Sequence, residues 1–110
     1  MSDLAQQHCA PCEGGTAPLD SAAANQRLEQ LSAHWTLASE TLIAGTFEFK
    51  NYYQTQAFVN AVAWIAHGEN HHPDITFGYK NCRIELTTHA IGGLSDNDFI
   101  VAAKIDQLLT

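Results

Sequence analysis

Four of the six histidines in this 110-residue chain lie between residues 67 and 89. Histidine has an ordinary pKa near neutrality, so imidazoles that share a pocket can donate and accept protons at pH 7, and they can also bind metal ions. The cluster therefore indicates either acid–base catalysis or metal ligation. Its members are His67, His71, His72 and His89.

The residues around the double histidine favour proton transfer. Pro73 disfavours the helical conformation at His72, so we expect a helix to end near His71 and the two rings to point in different directions. Two such imidazoles can serve as acid and base, each worth roughly 10²- to 10⁴-fold in rate. The chain has no nucleophile beside an evident base, no phosphate-binding glycine loop and no dinucleotide fingerprint. Elimination of water from a small molecule fits this pattern.

Metal binding is the main alternative. His67 and His71 lie four residues apart on one face of the expected helix, and His72 or His89 could complete a three-histidine site with an open position. Fraying of the segment before Pro73 argues against such a site. A histidine at a helix end can also simply bind terminal carbonyl groups, and this is the simpler interpretation of His67 taken alone.

Asp98 has two interpretations. Ser95 and Asp98 have the spacing of a capping box, in which Asp98 would hold the start of a helix. Asp98 could also orient or charge-stabilise a histidine. Two nearby aromatic residues, Trp64 and Tyr79, are expected to be core or strand residues rather than stacking platforms for a flat ligand.

Residues 1–18 contain prolines and glycines without a hydrophobic period, and we expect a flexible N-terminal arm. Cys9 and Cys12 form a C-x-x-C motif there, which could hold zinc only with ligands from elsewhere. With Cys82 the cysteines number three, and an odd number favours reduced thiols over a disulfide framework.

The remaining residues, 19–110, suffice for a single domain with one modest core. A net charge of −7 disfavours binding to nucleic acids and to anionic membranes. The N-terminus lacks the features of a signal peptide, and no apolar run approaches the roughly 20 residues that span a bilayer. We therefore expect a cytoplasmic protein.

Hydrophobic periodicity predicts three helices and two strand pairs. The first helix begins at Asp20 or Ser21 and ends near Ser32, the second spans 52–68, and the third follows Ser95. The strands are expected over 34–38, 42–49, 75–79 and 82–89. This order, α-β-β-α-β-β-α, predicts an α+β fold in which three helices pack on one face of a four-stranded antiparallel sheet.

Side-chain patterns predict which faces are buried. The second helix should bury a broad stripe and end through Gly68 and Pro73. In the last strand Cys82 begins the set that packs on the helices, and Arg83 begins the set that faces solvent or a partner. The expected helix stripe is Tyr53, Ala57, Val59, Ala61, Trp64 and Ile65. The inward strand set is Cys82, Ile84, Leu86 and Thr88, and the outward set is Arg83, Glu85, Thr87 and His89.

The histidine motif also carries a resemblance to a known family. The string His67-x-x-x-His71-His72-Pro73, followed by Tyr79, Thr87-Thr88-His89, Gly92-Gly93-Leu94 and Asp98, resembles the signature of the pterin-4a-carbinolamine dehydratases. With the order of elements, the resemblance covers residues 20–110. It implies dehydration of 4a-hydroxytetrahydrobiopterin to quinonoid dihydropterin, which recycles the cofactor of aromatic amino-acid hydroxylases such as phenylalanine hydroxylase.

The resemblance also implies site residues, partners and the absence of a metal or cofactor. His71, His72 and His89 would be catalytic and bind substrate, with Asn70, Thr87 and Thr88 as further contacts and His67 and Asp98 in support. Many members carry an acidic residue where this chain has His67, which puts a charge role there in doubt, and Glu69 is a nearby substitute only if the helix end bends.

Family members form homodimers or homotetramers by joining sheets and packing helices, and in animals they also bind a homeodomain transcription factor. A non-enzymatic dimerisation, coactivator or assembly module is therefore the alternative function. Divergent relatives that assist assembly of a carboxylating enzyme lose the catalytic histidines, which this chain retains.

Overall fold

The computed structural model describes residues 4–10 and 16–110 of the chain. This part contains α1 (Ser21–Leu28), β1 (Trp35–Ser39), β2 (Leu42–Glu48), α2 (Tyr52–Glu69), β3 (Asp74–Phe77), β4 (Asn81–Leu86) and α3 (Asp96–Gln107). Short 3-10 turns cover Leu4–Gln6 and His89–Ile91. The predicted order and the α+β class are confirmed.

The four strands form one antiparallel sheet in the order β1-β2-β4-β3. Gly45 on β2 lies opposite Trp35 on one neighbour and Ile84 on the other. A side chain at Gly45 would come within 2.9 Å of the Trp35 and Phe47 rings, so this close packing requires glycine. β2 and β4 are the central strands, and the end of β4 is therefore held between neighbours.

The core lies between the sheet and the helices. Cys82, Ile84, Leu86 and Thr88 are buried and Arg83 is exposed, as the alternating pattern of β4 predicts. α3 is buried along most of its length, including Phe99. This burial fixes α3, whose first turn contributes to the candidate site.

The predicted buried stripe of α2 is largely wrong, although Val59 and Ile65 are partly buried against the core. The residues that α2 buries are Thr55, Phe58, Val62 and Ala66. Tyr53 and Trp64 are 82% and 75% exposed. Apolar residues occur all around this helix, so its sequence does not single out one face. Packing against the sheet selects the buried face, since the Phe58 ring centroid lies 4.9 Å from that of Phe47 on β2. Tyr79, expected in the core or a strand, is also exposed and lies in a turn.

Several element ends also differ from the prediction, among them that of β3, which ends at Phe77 rather than at Tyr79. α1 ends at Leu28 rather than near Ser32, and β4 ends at Leu86 rather than at His89. α2 continues through Gly68 to Glu69, because Asn70 takes the left-handed conformation (φ 52°, ψ 40°) that usually falls to glycine at a helix end.

Residues 4–10 pack against the domain. Leu4 is buried in the core, and Lys104 of α3 donates a hydrogen bond to the Ala5 carbonyl at 3.0 Å. Leu19 donates to the Leu94 carbonyl at 2.8 Å, which ties the chain entering α1 to the loop before α3. The domain boundary at residue 18 stays a prediction, and Cys12 of the C-x-x-C motif lies outside the described residues.

Within residues 4–10 and 16–110, no helix is long and apolar enough to cross a membrane.

Candidate active site

One cavity of about 400 Å³ lies where the end of α2, the end of β4 and the start of α3 meet. It brings together all six residues for which a role in substrate binding is predicted. They are Asn70, His71, His72, Thr87, Thr88 and His89. The order of strands explains this arrangement, because the residues that follow central β4 lie beside the C-terminus of α2.

The end of α2 fixes the position of His71. The His71 N–H donates to the Ala66 carbonyl at 3.2 Å, and the Asn70 N–H donates to the His67 carbonyl at 3.3 Å. These two bonds form the helix-ending arrangement that a left-handed residue permits. Hydrogen bonds thus fix the His71 backbone at the end of α2, where His71 lines the cavity.

Asp98 is fully buried and accepts three hydrogen bonds. The donors are His71 Nε2 at 2.6 Å, Thr88 Oγ1 at 2.8 Å and the Ser95 N–H at 3.0 Å. The capping box of α3 is present as well, so Asp98 caps this helix and also accepts a hydrogen bond from His71. An ionised carboxylate only accepts, so Asp98 keeps the proton of His71 on Nε2. The neutral ring then carries its lone pair on Nδ1.

The two threonines differ in their partners. Thr88 is buried, and its hydroxyl also contacts Ser95 Oγ at 2.7 Å, which joins the end of β4 to α3. Thr87 donates to the Thr41 carbonyl at 2.5 Å and thereby ties the same segment to the β1–β2 turn. His89 begins the 3-10 turn that follows and is exposed, as is His72. His72 and His89 are therefore accessible to a ligand.

His67 does not line this cavity. Its ring lies 5.7 Å from that of Trp64, beside a second cavity of about 360 Å³. Among the described residues, no group of three or more histidine, cysteine or acidic side chains is arranged to hold a metal ion. His71 lies beyond the end of α2, so it does not share a helical face with His67, and the two rings have different surroundings.

Sequence reasoning missed part of the cavity wall. Cys9, Ala10, Glu69, Ala90 and Asn97 also line it. For Glu69 a signal existed, since it lies within the histidine motif and is a nearby substitute for the acidic residue that many family members carry at the position of His67. For Cys9 and Ala10 no periodic pattern could have placed them.

The surroundings of Cys9 and Glu69 determine the charge state of each group. Desolvation and the nearby Glu69 carboxylate raise the pKa of the Cys9 thiol from 9.0 to about 12, so the thiol is neutral at pH 7. Burial alone would raise the pKa of Glu69. Hydrogen bonds from the Cys9 N–H and from His8, with the charge of Lys104, outweigh it and hold that pKa below its ordinary 4.5. Glu69 is therefore an anion at neutral pH.

Comparison with known proteins gives close relatives over nearly the whole chain. A provisionally named pterin-4-alpha-carbinolamine dehydratase of Nitrosomonas eutropha is 62% identical over 109 residues, which cover 99% of this chain and 96% of that protein. A protein of Legionella pneumophila strain Corby with the same provisional name is 52% identical and covers 98% and 96% of the two chains.

Solved structures share the fold. A transcriptional coactivator/pterin dehydratase from Brucella melitensis matches with a TM-score of 0.78 over 84% of this chain and 99% of that one, at 24% identity. A pterin dehydratase-like protein described as a RuBisCO assembly factor of the alpha-carboxysome matches with a TM-score of 0.57, at 28% identity over 67% and 84% of the two chains. The family model for pterin 4 alpha carbinolamine dehydratase matches residues 17–108. The chain belongs to the pterin 4 alpha carbinolamine dehydratase family.

Proposed function

We propose that this protein is a 4a-hydroxytetrahydrobiopterin dehydratase, a hydro-lyase that acts by histidine acid–base catalysis. The observation that carries the proposal is a histidine held by a buried carboxylate, His71 on Asp98 at 2.6 Å, in a cavity that two further histidines line. The names of the close relatives support the substrate class.

The reaction needs one proton acceptor and one proton donor. The N5–H bond of the carbinolamine breaks and its proton goes to a base. The C4a–O bond breaks and the oxygen leaves as water after gaining a proton from an acid. The electron pair of the N5–H bond forms the N5=C4a double bond of the quinonoid dihydropterin, so no oxidant or reductant is consumed.

We assign the base to His71. Its Nε2–H donates to Asp98, so Nδ1 offers the lone pair that accepts the N5 proton. The imidazolium that forms then lies against the Asp98 carboxylate, which stabilises the positive charge where it develops. His71 combines a fixed ring with a charged partner, and this pairing supports its assignment as the base.

We assign the acid to His89 and the anchoring of the pterin to His72. Both are exposed at the cavity, so each ring is able to exchange protons with water between turnovers. Asn70, Thr87 and Thr88 are proposed to contact the substrate. Asp98 acts through His71 as a positioning residue, and His67 is left without a proposed contact to substrate.

The cellular role follows as a further part of the proposal. Formation of quinonoid dihydropterin would recycle the cofactor of aromatic amino-acid hydroxylases, so the protein would act with such a hydroxylase in the cytoplasm. We also propose a homodimer or homotetramer. The edge strands β1 and β3 and the exposed Tyr53 and Trp64 of α2 offer surfaces for it.

The test is the decay of 4a-hydroxytetrahydrobiopterin, generated by a hydroxylase in a stopped-flow mixer, at several pH values. Wild type should accelerate the decay, and His71→Ala and His89→Ala should each lower that acceleration by about 10² or more. His34→Ala is the matched control, because this exposed histidine is not a wall of the cavity. Unchanged turnover in both cavity variants would refute the mechanism. An inactive wild type would favour the interaction module.

A further inference from the structure

We infer that Cys9 and Ala10 form one wall of the substrate cavity, and that their hydrogen bonds with Glu69 and Asn97 hold this wall in place when no substrate is bound. The N-terminal segment is then a positioning element of the active site. The inference rests on the proposed function for the identity of the substrate, a pterin. The segment itself is identified by its contacts.

Glu69 holds the first half of the wall. The Cys9 N–H donates to Glu69 Oε1 at 2.7 Å, and His8 Nδ1 lies 2.9 Å from Glu69 Oε2. Lys104 Nζ lies 3.6 Å from the same oxygen. The Glu69 side chain is only 8% exposed. A buried carboxylate at the last position of α2 therefore has the segment as its principal hydrogen-bond partner.

Asn97 holds the second half. Its Oδ1 accepts from the Ala10 N–H at 3.0 Å, and its Nδ2 donates to the Ala10 carbonyl at 2.6 Å. Both backbone polar groups of one residue thus pair with one side chain, which fixes the direction of the chain as well as its position. Asn97 is 7% exposed, so water has little access to these groups.

The two anchors are adjacent to the groups proposed to carry the chemistry. Glu69 precedes His71 by two residues at the end of α2, and Asn97 directly precedes Asp98 in the first turn of α3. Movement of the segment away from the cavity would leave the buried carboxylate and amide without these partners, at a cost in free energy. It would also open one side of the cavity to water. We therefore expect a docked wall in the free enzyme, with substrate binding against it.

The reactivity of the Cys9 thiol indicates whether the N-terminal segment is docked, and it can be measured without enzyme turnover. It is half-buried and lies 3.6 Å from the Asn97 carbonyl. In the docked state its raised pKa, about 12, leaves very little reactive thiolate. In an undocked segment the pKa of the thiol would return toward its ordinary value of 9.0, and the thiol would react far faster. A Cys12→Ser background, with modification located by peptide mass spectrometry, isolates the Cys9 signal.

The experiment measures the rate of Cys9 alkylation by iodoacetamide at pH 8, with and without 7,8-dihydrobiopterin, and the kinetics of dehydration. Glu69→Ala and Asn97→Ala should each raise the alkylation rate by about tenfold or more, since both release the thiol from its buried position. Bound pterin should lower the rate in the parent protein. In both variants KM for the carbinolamine should rise by about tenfold, with a smaller change in kcat.

Two further variants protect the test against misfolding. Glu69→Gln keeps an acceptor for the Cys9 N–H but removes the charge that helps to raise the pKa of the Cys9 thiol. It should therefore restore most of the low KM, with an alkylation rate between those of the parent protein and Glu69→Ala. Glu48→Ala removes an exposed carboxylate at the end of β2, away from the cavity, and should match the parent protein in both measurements.

Three results would overturn the inference while leaving the proposed function intact. They are alkylation that pterin does not slow, alkylation that the two alanine variants do not speed, and an unchanged KM in an active enzyme. An inactive wild type that binds no pterin would instead refute the proposed function and remove the substrate from the inference.

Discussion

Replacing Asp98 with asparagine should move a proton within the His71 ring. The carboxylate oxygen Oδ2 accepts from two donors, the Ser95 N–H and Thr88 Oγ1, and Oδ1 accepts from His71 Nε2 alone. The amide has one oxygen and one NH₂ group. Its oxygen is best placed at the position with two donors, so the NH₂ group meets His71 Nε2. The neutral ring must then protonate Nδ1 to avoid two opposed N–H groups.

The expected loss of rate in Asp98→Asn follows from the proposed role of His71 Nδ1 as the proton acceptor. A protonated Nδ1 in the neutral ring is no longer able to accept the N5 proton, and loss of a general base costs about 10²- to 10⁴-fold in rate. We expect kcat to fall by at least about 10². Three charge-assisted hydrogen bonds become neutral ones, so the free energy of unfolding should fall by about 1–3 kcal/mol, which leaves a folded enzyme to assay.

Two measurements on histidine-labelled protein test this reasoning. The ¹⁵N shifts of His71 distinguish the two tautomers, and stopped-flow decay of the carbinolamine gives kcat. Asp96→Asn is the matched control, because Asp96 lies in the same turn of α3 with a side chain 55% exposed. An Asp98→Asn variant in which Nδ1 gains the proton and kcat is unchanged would refute the assignment of the base. A ring that keeps its Nε2 proton would refute the hydrogen-bond argument.

Three other predictions concern stability. Gly93→Ala should lower the free energy of unfolding by about 1–3 kcal/mol in urea denaturation, because the added Cβ would lie 2.7 Å from Pro18 Cβ. Gly68→Ala, which meets nothing within 4 Å in the last turn of α2, should raise it by about 0.5–1 kcal/mol. Equal changes in the free energy of unfolding for the two glycine variants would contradict the close packing of Pro18 on Gly93. The pKa of Glu69 in the folded state is lowered below 4.5. Ionised Glu69 therefore adds to the free energy of unfolding above the pKa of the unfolded state, and this stabilisation is lost as the pH falls through the folded pKa. The Glu69→Gln variant should therefore lose less stability than wild type between about pH 5 and pH 3, and an identical pH dependence would contradict the ion pairing of Glu69.

The sheet was predictable from the sequence because a strand repeats every two residues. Cys82, Ile84 and Leu86 alternate with polar residues, and a shift of one position would have exposed all three. The sequence of α2 does not predict its buried face in this way. Its apolar residues cover most of its surface, so only contact with the sheet selects Phe58 and leaves Trp64 exposed.

The histidine half of the cavity was also predictable, whereas the opposite wall was not. His71 and His72 are constrained locally by the adjacent proline. Cys9 is held at the cavity by Glu69, which lies 60 residues later in the sequence. Ala10 is held there by Asn97, which lies 87 residues later. Their placement depends on tertiary hydrogen bonds that no local pattern encodes. Asp98 shows a third case, since one carboxylate serves both the helix cap and the histidine.

The most direct test of the central claim is the rate of 4a-hydroxytetrahydrobiopterin decay with wild type and His71→Ala in the presence of a strong metal chelator. We predict that wild type accelerates the decay, that the chelator leaves this acceleration unchanged, and that His71→Ala abolishes most of it. No acceleration by correctly folded wild type, or equal acceleration by His71→Ala, would contradict dehydration by a carboxylate-held histidine.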